Sequence, residues 1–136
     1  MTLYTIDSNA ETAILRPDQR VLSQVRAVLA QGDEVTLNAV SYFEVKRGLV
    51  SPRFQRKLTD FHAFAVTYGV LDLDLPSLDR AADVYQVLRA AGTPLEDADL
   101  LVAGIALSRD AVLVTRNLRH LGRVPGLRLE DWESQP

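Results

Sequence analysis

Leu100-Leu101-Val102-Ala103-Gly104-Ile105-Ala106-Leu107 is followed almost at once by Ala111-Val112-Leu113-Val114-Thr115, and these two runs set the architecture. The first is apolar all the way round a helix, which predicts a helix buried against other structure rather than lying at a surface. The second is short, apolar and rich in β-branched residues, the mark of a buried strand, expected at Val112 to Val114. Upstream, Thr93, Pro94 and Glu96 match a capping box with proline at the first helical position, so the helix is expected to open there.

Working outward, the same alternation recurs. Leu3-Tyr4-Thr5-Ile6 reads as a strand that Asp7 ends, and a short helix is expected through Glu11 to Leu15, interrupted by Pro17. Val21, Leu22, Val25, Val28 and Leu29 recur at helical spacing until Gly32, and a strand follows at Val35 to Leu37. Ser41 to Val50 reads as a helix closed by Ser51-Pro52. A longer helix carries Phe54, Leu58, Phe61, Ala65 and Tyr68 on one face until Gly69. A strand at Val70 to Leu73, a helix from about Leu78 to Ala91 and a last strand near Leu127 to Leu129 complete the series. Parallel neighbours need crossover connections, so strands alternating with helices imply a mostly parallel sheet covered on both faces, a three-layer α/β/α sandwich. With no repeat or linker, residues 1–136 are expected to form one domain.

Composition narrows the function classes. At 136 residues and 47% hydrophobic content the chain can bury a real core. Fifteen Lys and Arg against 18 Asp and Glu leave a net charge of −3, which gives no support for broad attraction to a polyanion; such a ligand must be held locally. The absence of cysteine removes disulfides, thiolate zinc sites and cysteine nucleophiles. No segment approaches the ~20 apolar residues of a bilayer span. The N-terminus has no basic region followed by a long apolar stretch, so a cytoplasmic location is expected.

Three carboxylates and an amide, Asp7, Glu44, Asp99 and Asn117, stand where apolar segments change character. Ionised side chains are costly to bury, so acids abutting apolar runs suggest a shared cation, and oxygen donors suit a hard ion such as Mg²⁺. In an open parallel sheet the functional crevice lies beyond the carboxyl ends of the strands. Asp7 and Asn117 belong there, and Glu44 and Asp99 are expected to join them from helices. Such a site suits phosphodiester cleavage, in which a divalent ion shields phosphate charge and generates hydroxide.

The residues also resemble a known family. Ile6-Asp7-Ser8-Asn9 is similar to the opening signature of PIN-domain nucleases, Ser41 to Gly48 around Glu44 resembles their second acidic motif, and Asp99-Leu100-Leu101-Val102-Ala103 their third. The tail from Val114 through Arg116, Asn117, Arg119 and His120 to Pro125, Gly126 and Asp131-Trp132 resembles the VapC-type toxin branch. The resemblance covers nearly the whole chain, in order. It implies an endoribonuclease dependent on Mg²⁺ or Mn²⁺, commonly a homodimer, acting on RNA and neutralised by a cognate antitoxin. By position it makes Asp7, Glu44 and Asp99 metal ligands. The fourth place, often an acid, is Asn117, and His120 stands where some relatives carry another acid.

Each residue also has a plainer reading. Asp7 is suited to capping a helix, and Glu44 to an exposed helical face paired with Arg47. Asp97 and Asp99 both suit a helix N-terminus, but residues two apart point to different faces, so Asp99 is preferred. Arg16, Lys46, Arg47, Arg116 and Arg119 suit either solvated surface or RNA phosphate, and Trp132 a packing anchor. Two other functions compete. A phosphoacceptor switch also places an Asp beyond a parallel strand, but it resembles a pattern with paired acids and a late Lys, whereas this chain has a lone Asp7 and no Lys after Lys57. A catalytically inactive module of the same fold, holding RNA or a partner, is the second.

Overall fold

The computed structural model describes residues 1–16 and 18–134. Pro17, expected to interrupt the first helix, lies outside them, as do Gln135 and Pro136. The element order is β1 (Leu3–Ile6), α1 (Ser8–Leu15), α2 (Gln19–Ala30), β2 (Glu34–Asn38), α3 (Ala39–Gly48), a 3₁₀ turn (Pro52–Phe54), α4 (Gln55–Tyr68), β3 (Val70–Leu71), α5 (Leu75–Ala90), α6 (Asp97–Ser108), β4 (Val112–Val114), α7 (Leu118–Leu121) and β5 (Arg128–Glu130). The strands form one sheet in the order β3-β2-β1-β4-β5, every pair parallel. Tyr4 pairs with Val35 and Val112, and Ile6 with Val114, so β1 lies in the middle and its carboxyl end opens between those of β2 and β4.

Strand side chains alternate between faces, and two cores result. Ile6, Val35, Leu37 and Val114 face Val21, Val25 and Val28 of α2, Val45 of α3 and Phe61 of α4. Leu113 faces the other way, toward Ala81, Val84 and Leu88 of α5 and Leu100, Val102, Ala103 and Ala106 of α6. The result is the three-layer sandwich with a parallel sheet. Trp132 is buried, its ring centroid 5.5 Å from that of Tyr4 and its indole N–H donating to Glu130 at 2.9 Å, so it is a packing anchor.

Several boundaries differ from the sequence reading. The helix α6 opens at Asp97 rather than at Pro94, and its N-cap residue Glu96 makes no side-chain capping bond. Thr93 is committed elsewhere: its N–H donates to Leu88 O at 2.9 Å, closing α5 beyond Gly92, whose φ of +73° favours glycine. The helix α5 starts at Leu75 instead of near Leu78 because Asp74 caps it, accepting from Ser77 N at 3.1 Å. Two residues earlier than expected, α3 begins at Ala39 under the cap of Asn38. The strand β3 is shorter than Val70 to Leu73, β5 is shifted by one residue, and the short helix α7 was not foreseen.

Candidate active site

Asp7 stands at the end of β1 and caps α1, so its capping and site roles coincide. Its backbone N–H donates to Val114 O at 2.8 Å, which extends the β1–β4 pairing by one residue and fixes where the side chain leaves the sheet. One carboxylate oxygen accepts from Ser8 N at 2.8 Å and from Ser41 Oγ at 3.2 Å. The other accepts from Thr115 Oγ1 at 2.9 Å. Thr115 also accepts from Asn117 N at 3.0 Å, so one buried hydroxyl orients both Asp7 and the backbone that carries Asn117.

Glu44 reaches the site through Asn38. That fully buried amide donates to Thr5 Oγ1 at 3.3 Å and Ile6 O at 3.2 Å, while its oxygen accepts from Ser41 N at 2.9 Å. It thereby ties the end of β2 to β1 and starts α3 with Ser41 against Asp7. Glu44, three residues further along the helix, is half-buried. Burial, then the charge of Asp7, raises its carboxyl above the ordinary range; Arg47 works against this and Asp99 adds to it.

Asp99 lies in the first turn of α6, half-buried, and burial, Asp7 and Glu96 raise its carboxyl. His120 and a hydrogen bond from Asn117 Nδ2 at 3.4 Å act in the opposite direction. The Asn117 oxygen accepts from His120 Nδ1 at 2.8 Å. Both ends of the amide are therefore engaged, and Asn117 bridges Asp99 and His120. Asp97 faces elsewhere, into a depression shared with Leu78, Ala81 and Tyr85 of α5.

A further acid, Glu11, belongs to the group although nothing in the sequence reading singled it out. It is 1% exposed, and neither carboxylate oxygen has a hydrogen-bond partner among the described residues. Burial, Asp7 and Glu44 push its carboxyl well above the ordinary range. Among the described residues Asp7, Glu11, Glu44 and Asp99 make no ion pair, and no three acids or histidines already close around a point. The donor set nonetheless fits a hard divalent cation: all oxygen, held near one another by the fold with Asp7 raising the carboxyls of its neighbours, and with two buried Glu11 oxygens lacking a partner among the described residues.

Two arginines flank this group. Glu133, with 4% of its side chain exposed, lies 3.6 Å from Arg16 Nη2 and 3.9 Å from Arg116 Nε. Both arginines remain more than half exposed and, with Ser8, Asn9, Thr12 and Glu44, line a cavity of about 440 Å³. A second cavity of about 460 Å³ is lined by Asp99, Asn117, His120 and Arg123 among others. Lys46 and Arg47 instead lie over the rings of Tyr42 and Phe43.

Sequence reasoning missed Glu11, Asn38, Ser41 and Glu133 as members of this environment. A signal existed for two of them: Asn38 is a favoured helix cap at the end of an apolar run, and Glu11 lies four residues from Asp7 in a helix. For Ser41 and Glu133 no local pattern distinguishes a buried partner from an ordinary polar residue.

Comparison with known proteins agrees with this fold. A family model described as PIN domain matches residues 4–127. A protein of Shigella flexneri named tRNA(fMet)-specific endonuclease VapC is 32% identical over 105 residues, 76% of this chain and 79% of its own. Its namesake from Salmonella typhimurium is 38% identical over 78 residues, a match spanning 57% of this chain and 59% of that one. A crystal structure described as DNA-bound VapBC from Salmonella typhimurium superposes with a TM-score of 0.86 at 28% identity, covering 97% of this chain and 99% of the other.

Proposed function

This chain belongs to the PIN-domain family, and on that premise we propose that it is a divalent-metal-dependent endoribonuclease, the toxin component of a toxin–antitoxin pair. What supports the metal dependence is that Asp7 lies close enough to Glu44 and Asp99, near the carboxyl end of the sheet, to raise both carboxyls, with no ion pair to any of the three among the described residues. Those three carboxylates would hold Mg²⁺, with Mn²⁺ as a substitute. When bound, the ion would shield phosphate charge and lower the pKa of a coordinated water.

The chain's own residues supply orientation. Ser8, Ser41 and Thr115 hold the Asp7 carboxylate in one rotamer, so its position is set before any ligand arrives. Asn117 steadies Asp99 and His120 together. Arg16 and Arg116, restrained by Glu133 beside Glu44, offer exposed guanidinium groups for an RNA phosphate. With net charge −3, such local contacts are where a polyanion is held. The two relatives named as tRNA(fMet)-specific endonucleases make a structured tRNA the first substrate to try. A cognate antitoxin, a homodimer and a cytoplasmic setting belong to the same reading; no helix among the described residues is long and apolar enough to cross a membrane.

The test is incubation of purified protein with tRNA in Mg²⁺, Mn²⁺ or chelator, with Asp7→Asn alongside. Discrete cleavage is expected with metal only, and at least about 100-fold slower cleavage in the variant, a loss of the size seen when metal-site partners are removed. A second reading is favoured by the Asn117 amide, which places no charge where it meets Asp99: a PIN-like module that binds RNA or a partner without turnover. RNA retained without products in every metal arm would establish that reading instead.

A further inference from the structure

The most anomalous side chain in the molecule is Glu11. Its position is dictated locally: Glu11 N donates to Asp7 O at 3.0 Å in the first turn of α1, so the two residues share one side of the helix. Helical side chains lean toward the N-terminus, which brings the Glu11 carboxyl back over Asp7. The helix α1 also packs on α3, the helix that carries Glu44. An apolar residue would suit this interior position, since Ile14 and Leu15 of the same helix pack into the core. Instead the chain buries a carboxyl at 1% exposure, with both oxygens unpartnered and no arginine, lysine or histidine paired to it among the described residues. A buried acid facing other acids either stays protonated or is ionised only with a cation shared among them.

We propose that Glu11 is a fourth carboxylate of the metal centre, contributing its charge beside Asp7 and Glu44 from α1. The assignment rests on the metal-dependent reading above and extends it. It also accounts for Asn117, a neutral residue whose amide is held by Asp99 and His120: the additional negative charge comes from α1. The surplus of burial, Asp7 and Glu44 that raises the Glu11 carboxyl supports its closeness to both acids.

The experiment measures Mn²⁺ binding by titration calorimetry near neutral pH and metal-induced change in melting temperature, comparing the unmodified protein with Glu11→Gln and Glu11→Leu. The first variant removes the charge at constant shape, and the second provides an apolar replacement should the amide fail to fold. Expected is Mn²⁺ affinity at least about tenfold weaker in the variants, with a smaller metal-induced rise in melting temperature, while their melting temperature in chelator equals or exceeds that of the unmodified protein. Unchanged Mn²⁺ affinity in both variants would overturn the assignment, leaving Glu11 a buried neutral acid. If the unmodified protein itself binds no Mn²⁺ yet cleaves RNA in chelator, the metal-dependent reading falls and Glu11 with it.

Discussion

Gly104, in the middle of α6, meets α5 so closely that a side chain has no room. A Cβ there would collide with the backbone carbonyl oxygen of Ser77 and lie 3.0 Å from Ala81 Cβ and 3.1 Å from Ala81 N. The nearest obstacle is main chain in the first turn of α5, held by the bonds of Ser77 to Asp74 and of Arg109 to Ser77, so it does not swing aside. For Gly104→Ala, overpacking of this kind costs about 3 kcal/mol, the upper part of its usual range, because the clash is with backbone. Better helix propensity returns about 1 kcal/mol. The net loss is about 2 kcal/mol, which for a chain of this length lowers the melting temperature by roughly 6–12 °C. Urea denaturation followed by circular dichroism should show a lower midpoint at unchanged slope. Because Asp99 rides on the same helix, RNA cleavage should also fall by about tenfold or more, as ångström-scale displacements of site groups do. A midpoint equal to or above that of the unmodified protein would refute the close packing of α5 on α6 and the placement of Asp99 that depends on it.

Thr115→Val keeps the shape of the side chain but deletes the hydroxyl shared by Asp7 and Asn117 N, leaving both short of a partner. Destabilisation of about 1–3 kcal/mol is expected by denaturant titration, together with slower cleavage; an unchanged midpoint would show that the hydroxyl is dispensable. The pH dependence of stability follows from carboxyls raised in the folded state, Glu11 most, then Glu44, Asp99 and Glu133. A raised group binds its proton more tightly when folded, so it favours the fold at low pH and that contribution is lost as pH rises through the folded value. Asp18, Asp74 and Asp131 are lowered, so their stabilising contribution is lost chiefly as pH falls below the ordinary aspartate value of 3.8, beneath this window. In chelator the melting temperature should therefore rise as pH falls from neutrality toward the ordinary glutamate value of 4.5, and saturating Mn²⁺ should move the maximum back toward neutral pH. Stability in chelator that climbs steadily up to neutrality would contradict the repulsion among these acids.

Much of the architecture was legible because the decisive patterns are local. The run Leu100 to Leu107 is apolar around its whole circumference, and the helix it forms is buried from Val102 to Ala106. The strand Val112 to Val114 was read with its observed bounds. Errors fell where one residue serves two neighbours: Thr93 looked like the start of α6 but its N–H finishes α5. In the site, Asp7, Glu44, Asp99 and Asn117 were recognisable as a series, whereas the engagement of both ends of the Asn117 amide was not.

The order of residues alone thus determined which segments are helix or strand and which faces are apolar, since backbone periodicity and side-chain solvation act over a few neighbours. Only tertiary structure decided which polar groups meet. Thr115 orients Asp7 from 108 positions away, and Asn38 and Ser41 reach the β1 end from 33 and 34 away. Those meetings depend on the parallel register of β1 with β2 and β4, in which one residue of slip would turn every side chain to the opposite face. For the same reason Glu11, an ordinary acid in a short helix when read along the chain, became a buried carboxyl only once α1 was laid over α3.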